Sequence, residues 1–333
     1  MPTVPASPVR VVGSDSACGR PVGPDHSKCA QRWRRAGVWR SLVAMNVGEL
    51  IDRKLGRRVS VVVPALDDED TVAAVVAAVR PLLGGLVDEV IVLDAGSTDR
   101  TVARARAAGA AVYSREDAMP GVAPRPGKGE VVWRSLAVCT GDFIVYLDAD
   151  LVEPDPQLVP DLIAPLLTDP GVALVKGFYR SPVSDDADDG GRLTQLVARP
   201  LLTALAPALA EIVQPLGGEY AASRAFLAEI SIASGYGAEI GILIDCWQRR
   251  GLSAIDQVDL GVRVHRQRST HELAVLSRQV VATLLDRLGI RDSGFGLVQF
   301  LPSETGWCRT PSEVSLADRP PMTQLHTAHR HIA

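Results

Sequence analysis

Short runs of β-branched residues alternate with Ala- and Val-rich segments from Val59 onward, and this alternation limits the possible folds more than any other feature. The runs lack polar–apolar alternation, which is typical of strands buried on both faces of a parallel sheet. The order of the segments predicts an α/β fold with a doubly wound, mostly parallel sheet. The predicted strands, in chain order, lie in VSVVVPAL, DEVIVLDAGSTD, AAVYS, DFIVYLDAD, VALVKGFYR and AIDQVDLGVRVHRQR.

Acidic side chains follow several of these strands, at the edge where such sheets bind ligands. Asp68 follows the first strand, Asp94 the second, and Asp148 and Asp150 the fourth. If the fourth strand continues through Asp148 and Asp150, the two carboxylates point to the same side. Paired carboxylate oxygens suit Mg²⁺ or Mn²⁺ that bridges a diphosphate. The alternative is a surface turn in which both aspartates cap the next helix.

Two further loops have a functional and a structural interpretation. Asp68 lies in PALDDED, which can hold a base and ribose but equally forms an acidic helix N-terminus, and the residues alone favour the helix. Lys128 lies between two glycines in RPGKGE, a phosphate-binding pattern that differs from the Walker sequence. A solvated lysine and a phosphate ligand are equally compatible with Lys128.

Composition excludes several classes of protein. The net charge of −4 gives no indication of a nucleic-acid partner. Five scattered cysteines without a C-x-x-C pair fit a reducing cytoplasm, and no apolar run has the length of a membrane span. Residues 1–45 are expected to be a disordered extension from their Pro, Gly, Ser and Arg content. The apolar spacing in HELAVLSRQVVATLLDRLG predicts a helix that packs on the core or faces a partner.

Nine motifs, in register over about Gly56 to Met322, resemble the actinobacterial glucosyl-3-phosphoglycerate synthases, which are retaining GT-A glycosyltransferases. They are VVVPALDDE, VLDAGSTD, RPGKGEVVWRSL, YLDADL, GGRLTQLVARPLL, QPLGGEYAASR, GYGAEIGILID, LGVRVHRQR and DRPPM. The resemblance implies transfer of glucose from UDP-glucose to the 2-hydroxyl of 3-phosphoglycerate, with Mg²⁺ as cofactor (Mn²⁺ as the alternative) and a homodimer. It also implies a Rossmann-like nucleotide half over 46–180, an acceptor-binding and dimerisation part over 181–322, and a tail over 323–333.

The same resemblance implies a donor site, a metal site and an acceptor site. Asp150 and His265 are the implied metal ligands, and Glu239 is the residue that holds the sugar. Asp68 stands where the family has Glu, and Gln267 stands where it has Asn. The implied donor-binding residues are Pro64, Ala65, Leu66, Asp68, Ala95, Lys128, Asp148, Ala149, Tyr236, Glu239 and Arg263. The implied acceptor-binding residues are Gly191, Arg192, Leu193, Thr194 and Gln267.

The hypothetical mechanism is attack by the acceptor on the face that the diphosphate leaves, with Asp150, His265 and Glu239 as the catalytic residues. Positioning and charge stabilisation supply the catalysis, and no side chain is assigned as a covalent nucleophile. Three alternatives remain: a mannosyl-3-phosphoglycerate synthase that uses GDP-mannose, a sugar nucleotidyltransferase, and a silent sugar-nucleotide-binding protein.

Overall fold

The computed structural model describes residues 45–180, 191–262, 269–304, 306–314 and 317–325. All of them belong to one compact unit, Leu42–Ala333. The second unit, Met1–Ser41, contains most of the predicted extension and lies outside the described residues. The boundary predicted between 180 and 181 adjoins the undescribed segment 181–190, so the two-part division stays a prediction.

Seven strands form one mixed sheet in the order β3-β2-β1-β4-β6-β5-β7. β6 is antiparallel to both of its neighbours, and the other neighbouring strands are parallel. This confirms the doubly wound, mostly parallel sheet. The strands are β1 (Val59–Ala65), β2 (Glu89–Asp94), β3 (Ala111–Ser114), β4 (Phe143–Tyr146), β5 (Leu174–Arg180), β6 (Tyr220–Ser223) and β7 (Ile255–Val262).

Helices cover both faces of the sheet. Gly109 and Gly251, with φ of +100° and +82°, take left-handed conformations just after the helices Thr101–Ala107 and Ala238–Arg250, where glycine carries no steric penalty. The helices are α1 (Val47–Lys54), α2 (Val72–Val79), α3 (Thr101–Ala107), α4 (Arg115–Ala118), α5 (Lys128–Val138), α6 (Leu158–Thr168), α7 (Arg199–Leu205), α8 (Arg224–Glu229), α9 (Ala238–Arg250) and α10 (Thr270–Arg287).

β1 shows why its sequence is apolar without interruption. Val61 and Val63 belong to the core on one face of the sheet, and Val62 belongs to the core on the other. All three side chains are fully buried. Each contributes about 1.5–3 kcal/mol of apolar burial, so the strand is held from both sides. Its carboxyl end is therefore a fixed edge on which a ligand site can be built.

Several elements differ from the sequence-based expectation. β4 ends at Tyr146, so Asp148 and Asp150 lie in the following turn and do not extend the strand. The long helix expected after GGRLT is interrupted, because a π-helical segment, Thr194–Ala198, precedes the short α7. An unexpected hairpin is formed by β8 (Leu297–Ser303) and β9 (Gly306–Ser312).

The open question about α10 is settled in favour of the core for part of its surface. Val280 and Leu284 are buried in the same core as residues of α9. Three other apolar residues, Leu273, Leu276 and Leu288, are partly buried. In the part of the chain that the structure describes, no helix is both long and apolar enough to cross a membrane.

Candidate active site

The loop after β1 is fixed against the turn after β2. The backbone N–H of Ala95 donates to the carbonyl of Ala65 at 2.8 Å, which continues the pairing beyond the strands. Asp67, at φ +55°, accepts from the N–H of Thr98 at 2.7 Å, and its own N–H donates to Ser97 Oγ at 2.9 Å. These contacts bring the predicted uridine-binding residues Pro64, Ala65, Leu66, Asp68 and Ala95 to one edge of the sheet.

Asp94, at the end of β2, has a structural task. Its carboxylate accepts from the N–H groups of Gly96 and Ser97, which closes the turn. Asp99 accepts from the N–H of Thr101 at 2.8 Å, so it caps the start of α3. The neighbouring residues Ser97 and Thr98 bond to Asp67.

Asp68 lies among several carboxylates. Its own carboxylate accepts from the N–H of Leu66 at 2.9 Å. Burial raises the pKa of Asp68, the bond from Leu66 opposes this, and the charges of Asp150, Asp148 and Asp99 add to it, giving a pKa of about 6. The electrostatic coupling shows that the carboxylates after β1 and β4 lie close together, as the sheet topology predicts.

Lys128 joins two acidic residues that are far apart in the sequence. Its ammonium lies 2.5 Å from Asp148 Oδ1 and 2.8 Å from Glu239 Oε1. The Lys128 side chain is 14% exposed and that of Glu239 is 4% exposed. Burial alone would lower the pKa of Lys128, but the charges of Asp148 and Glu239 outweigh it and raise that pKa well above its usual value. The solvated-lysine interpretation of RPGKGE is therefore wrong.

Glycines allow α5 and α9 to begin close to each other. A Cβ on Gly127, whose φ is +103°, would lie 2.5 Å from the Cα of Gly235. A Cβ on Gly129 would lie 1.9 Å from the carbonyl oxygen of Ala233. Because side chains are absent at these contacts, the backbones approach closely enough for Lys128, at the start of α5, to reach Glu239, in the first turn of α9.

A buried charge network anchors α5 to the C-terminal part of the chain. Glu130 accepts from Arg134 Nε at 2.6 Å and from Arg319 Nε at 2.6 Å. Arg319 also donates to the carbonyl of Ala123, in the loop before the helix. Trp133 donates from its indole N–H to the carbonyl of Pro320 at 2.8 Å. The DRPPM segment thus fixes the helix that carries Lys128.

Tyr236 lies in the turn before α9 and is positioned from α10. Its backbone N–H donates to Gln279 Oε1 at 2.8 Å. Thr283 packs on Gly237, where an added Cβ would lie 2.0 Å from its Oγ1. The predicted sugar-binding residues Tyr236 and Glu239 therefore share one supported segment.

The predicted acceptor residues are described in part. Gly191 has φ +73° and is exposed, as is Arg192, whereas Thr194 is buried. The carbonyl of Gly191 accepts from the N–H of Gln195 at 3.0 Å, so helical structure begins there. Arg263, His265 and Gln267 lie outside the described residues, and their roles stay predictions.

The carboxylate side chains at this edge of the sheet are suitable ligands for a divalent cation. Asp148 and Asp150, separated by Ala149, follow β4, and both raise the pKa of Asp68 through their negative charge. Hard oxygen ligands of this kind suit Mg²⁺ or Mn²⁺. Among the described residues, no group of three or more acidic, histidine or cysteine side chains forms a metal site. The predicted third protein ligand, His265, is outside them.

A buried lysine beside this site, Lys176, and its surroundings were not predicted from the sequence. Lys176, on β5, is 2% exposed and donates to the carbonyl of Gly217 at 2.5 Å. Glu219 is fully buried, and its charge acts on Lys176 and Tyr179. The available signals were a lysine inside the apolar strand VALVKGFYR, in a chain with only four lysines, and the motif QPLGGEY.

Comparison with known proteins agrees with this geometry. The family model for Glycosyl transferase family 2 matches residues 60–210. A glucosyl-3-phosphoglycerate synthase of Mycolicibacterium smegmatis is 57% identical over 298 residues, which are 88% of this chain and 98% of that protein.

Two solved structures of glucosyl-3-phosphoglycerate synthase from Mycobacterium tuberculosis are also similar. One, in complex with Mn²⁺, UDP-glucose and phosphoglyceric acid, has a TM-score of 0.80 and 55% identity, covering 86% of this chain and 98% of that one. Another, in complex with Mg²⁺ and UDP, has a TM-score of 0.80 and 56% identity, covering 84% of this chain and 96% of that one.

Proposed function

The chain belongs to the glucosyl-3-phosphoglycerate synthases and is a glycosyltransferase, and from this premise we propose that it transfers glucose from UDP-glucose to the 2-hydroxyl of 3-phosphoglycerate. The observation that carries the proposal is the contact of Lys128 with both Asp148 and Glu239. It joins the aspartate pair assigned to the diphosphate to the glutamate assigned to the sugar. The homodimer and the cytoplasmic location stay predictions.

The donor lies along the carboxyl edge of the sheet. Pro64, Ala65 and Leu66 line the uracil, and the carboxylate of Asp68 accepts from a ribose hydroxyl. The N–H of Ala95 is already bonded to Ala65, so this residue contributes a surface to the donor. The ammonium of Lys128 lies at the position of the negatively charged diphosphate of the donor. Glu239 accepts hydrogen bonds from glucose hydroxyls. Since Glu239 is buried, its hydrogen bonds to a sugar are made away from competing water.

A divalent cation belongs beside these residues, held by Asp150 and by the predicted ligand His265. Mg²⁺ is present with UDP in one of the similar synthase structures, and Mn²⁺ is present with UDP-glucose in the other. When bound, such a cation offsets negative charge on the departing diphosphate. The ammonium of Lys128 contributes a second, fixed positive charge at the same place.

The acceptor is an anion with a phosphate and a carboxylate. Gly191, Arg192, Leu193 and Thr194 offer backbone N–H groups, a guanidinium and a hydroxyl to it, and Gln267 and Arg263 are proposed to complete the site. We propose retention of configuration. The bond from the anomeric carbon to the diphosphate breaks, the bond to the acceptor oxygen forms on the same face, and the hydroxyl proton leaves with UDP.

A mass-spectrometric assay tests the proposal. The purified chain is given 3-phosphoglycerate with UDP-glucose, GDP-mannose or ADP-glucose, each with Mg²⁺. We expect glucosyl-3-phosphoglycerate from UDP-glucose at the highest rate and a large loss of rate in Asp150→Ala. A product only from GDP-mannose, or release of diphosphate from a nucleoside triphosphate and a sugar phosphate, would contradict the proposed reaction.

A further inference from the structure

Lys176 is a buried cation for which the proposed reaction has no assigned role. It lies in β5, the next strand but one to β4, and its residue is 2% exposed. A fully buried ammonium is costly unless its charge and its N–H groups are compensated. A chain that retains such a group beside an active site has either a structural or a functional reason for it.

The first contact of Lys176 leads to the turn of Gly217 and Gly218. The ammonium donates to the carbonyl of Gly217 at 2.5 Å. The same turn is held from β5 by the N–H of Gly177, which donates to the carbonyl of Glu219 at 2.9 Å. Lys176 therefore fixes the position of a backbone turn, and not only of a side chain.

That turn lies directly against the carboxylate of Asp148. A Cβ on Gly218 would lie 2.1 Å from Asp148 Oδ2 and 2.5 Å from Oδ1. The backbone of Gly218 is thus one wall of the space that this carboxylate occupies. The same carboxylate is also held by Lys128, whose ammonium lies 2.5 Å from Asp148 Oδ1. A displacement of the turn would change the position of Asp148 relative to Lys128.

A second set of contacts links Lys176 to the strand that ends before Asp148. The ammonium lies 5.0 Å from the ring centroid of Tyr220, its register partner on β6. Tyr220 in turn stacks on Tyr146, the last residue of β4, with centroids 4.7 Å apart. A cation over an aromatic ring is stabilised by the ring quadrupole. Lys176 is thus linked to the Asp148 region by two routes, through the Gly217–Gly218 turn and through the Tyr220–Tyr146 stack.

Charge gives Lys176 a further effect on the same carboxylates. Burial lowers the pKa of Lys176 to about 8, while the charges of Glu239, Glu219 and Asp148 oppose this and that of Lys128 adds to it. The two lysines therefore share one field with three carboxylates.

We propose that Lys176 is a positioning residue of the donor site: it holds the Gly217–Gly218 turn against Asp148, and thereby sets the carboxylate that faces the metal and nucleotide. The inference rests on the proposed function, because it takes the Asp148 region as the donor site. In this role Lys176 acts through the turn and does not itself contact a substrate.

Lys176→Met is the direct test, since it keeps length and apolar bulk but removes the charge and the donor. We expect its affinity for UDP in the presence of Mg²⁺, measured by isothermal titration, to fall by about 10- to 100-fold, because loss of a residue that positions the groups of a metal site typically costs this much in affinity. The KM for 3-phosphoglycerate should be unchanged. Lys176→Arg, which keeps a charge and a donor, should recover part of the affinity.

Lys54→Met is the matched control. Lys54 is also a buried lysine, and it donates to a glycine carbonyl, that of Gly85, at 2.9 Å and pairs with Asp88 at 2.7 Å. It lies on α1, away from the donor site. Its loss should lower the unfolding temperature and leave UDP affinity as in the wild type. Equal loss of affinity in the two variants would overturn a specific role for Lys176.

A double-variant cycle with Gly218→Ala tests the route of the effect. The added Cβ displaces Asp148, so Gly218→Ala alone should also weaken UDP binding. If Lys176 acts through this turn, the UDP affinity of the double variant should be no lower than that of the single variant with the lower affinity. Independent, additive losses would refute the route, as would wild-type UDP affinity in Lys176→Met. Should that variant not fold, as judged by circular dichroism, Lys176→Gln replaces it in the cycle.

These outcomes separate the inference from the proposed function. A wild-type chain that binds UDP with Mg²⁺ but makes no glucosyl-3-phosphoglycerate would refute the proposed reaction, and the binding cycle would still decide the role of Lys176. A wild-type chain with full activity and an unimpaired Lys176→Met variant would refute the inference alone.

Discussion

Removal of the Lys128 charge should destabilise the free protein, and the loss should be reversed by neutralising Glu239. In Lys128→Met, Glu239 retains a carboxylate that is 4% exposed and has lost the ammonium 2.8 Å away. Asp148 also loses its ion pair with Lys128, but its side chain is 26% exposed, so water can compensate for that loss in part. The cost therefore falls mainly on Glu239.

The expected magnitude follows from this burial. Loss of one member of a buried ion pair costs about 3–5 kcal/mol, because an uncompensated charge remains. Since Asp148 is partly hydrated, we expect the lower end, about 3 kcal/mol, for Lys128→Met. The double variant Lys128→Met with Glu239→Gln should be more stable than Lys128→Met alone, because position 239 then no longer carries a buried carboxylate without its ammonium partner.

Urea unfolding of the substrate-free protein, followed by circular dichroism, measures both effects. Lys54→Met is the control. The carboxylate of its partner Asp88 is 26% exposed, so loss of the Lys54 ammonium should lower the free energy of unfolding by less. A Lys128→Met variant within about 0.5 kcal/mol of the wild type would refute the reasoning. So would a double variant less stable than the single one.

Three further predictions concern pH, packing and the metal. Because the pKa of Asp68 is raised from 3.8 to about 6, its neutral form is favoured in the folded state, so its contribution to the free energy of unfolding should decrease as pH rises between these values. Urea titrations should show that Asp68→Asn removes this part of the pH dependence; an unchanged slope would contradict it. Gly129→Ala places a Cβ 1.9 Å from the carbonyl oxygen of Ala233 and should cost about 1–3 kcal/mol, whereas Gly171→Ala, whose Cβ would approach only the exposed side chain of Asp169, at 3.1 Å, should cost less in thermal unfolding. Equal unfolding temperatures would contradict that packing argument. Chelation of divalent cations should abolish glucosyl transfer and weaken UDP binding, both restored by Mg²⁺; calorimetric UDP affinity that is indifferent to chelation would contradict a metal at Asp150.

The sheet was predictable where one physical cause dominates. VSVVVPA is apolar at successive positions because β1 is buried on both faces, and this pattern needs no knowledge of the neighbours. β6 was not predicted, because YAAS is short and three of its four residues are small ones that fit many structures. Its place depends on the stack of Tyr220 on Tyr146, a contact with a distant part of the chain.

The same distinction applies to the site. Asp148 and Asp150 were predictable from their position after a strand, since topology alone brings strand ends to one edge. The state of Lys128 was not, because its burial depends on glycine contacts between two helix starts that are about a hundred residues apart. Lys176 was missed since a charged residue in a strand is normally exposed, and its partners are a backbone carbonyl and a ring.

Proton NMR of the complete reaction tests the central claim most directly. The chain is incubated with UDP-glucose, 3-phosphoglycerate and Mg²⁺, and the anomeric signal of the product is observed as it forms. We expect one new glucoside at the 2-position of 3-phosphoglycerate in the α configuration, with loss of the UDP-glucose signal at the same rate. A β-linked product, or consumption of UDP-glucose to free glucose without a glycoside, would contradict it.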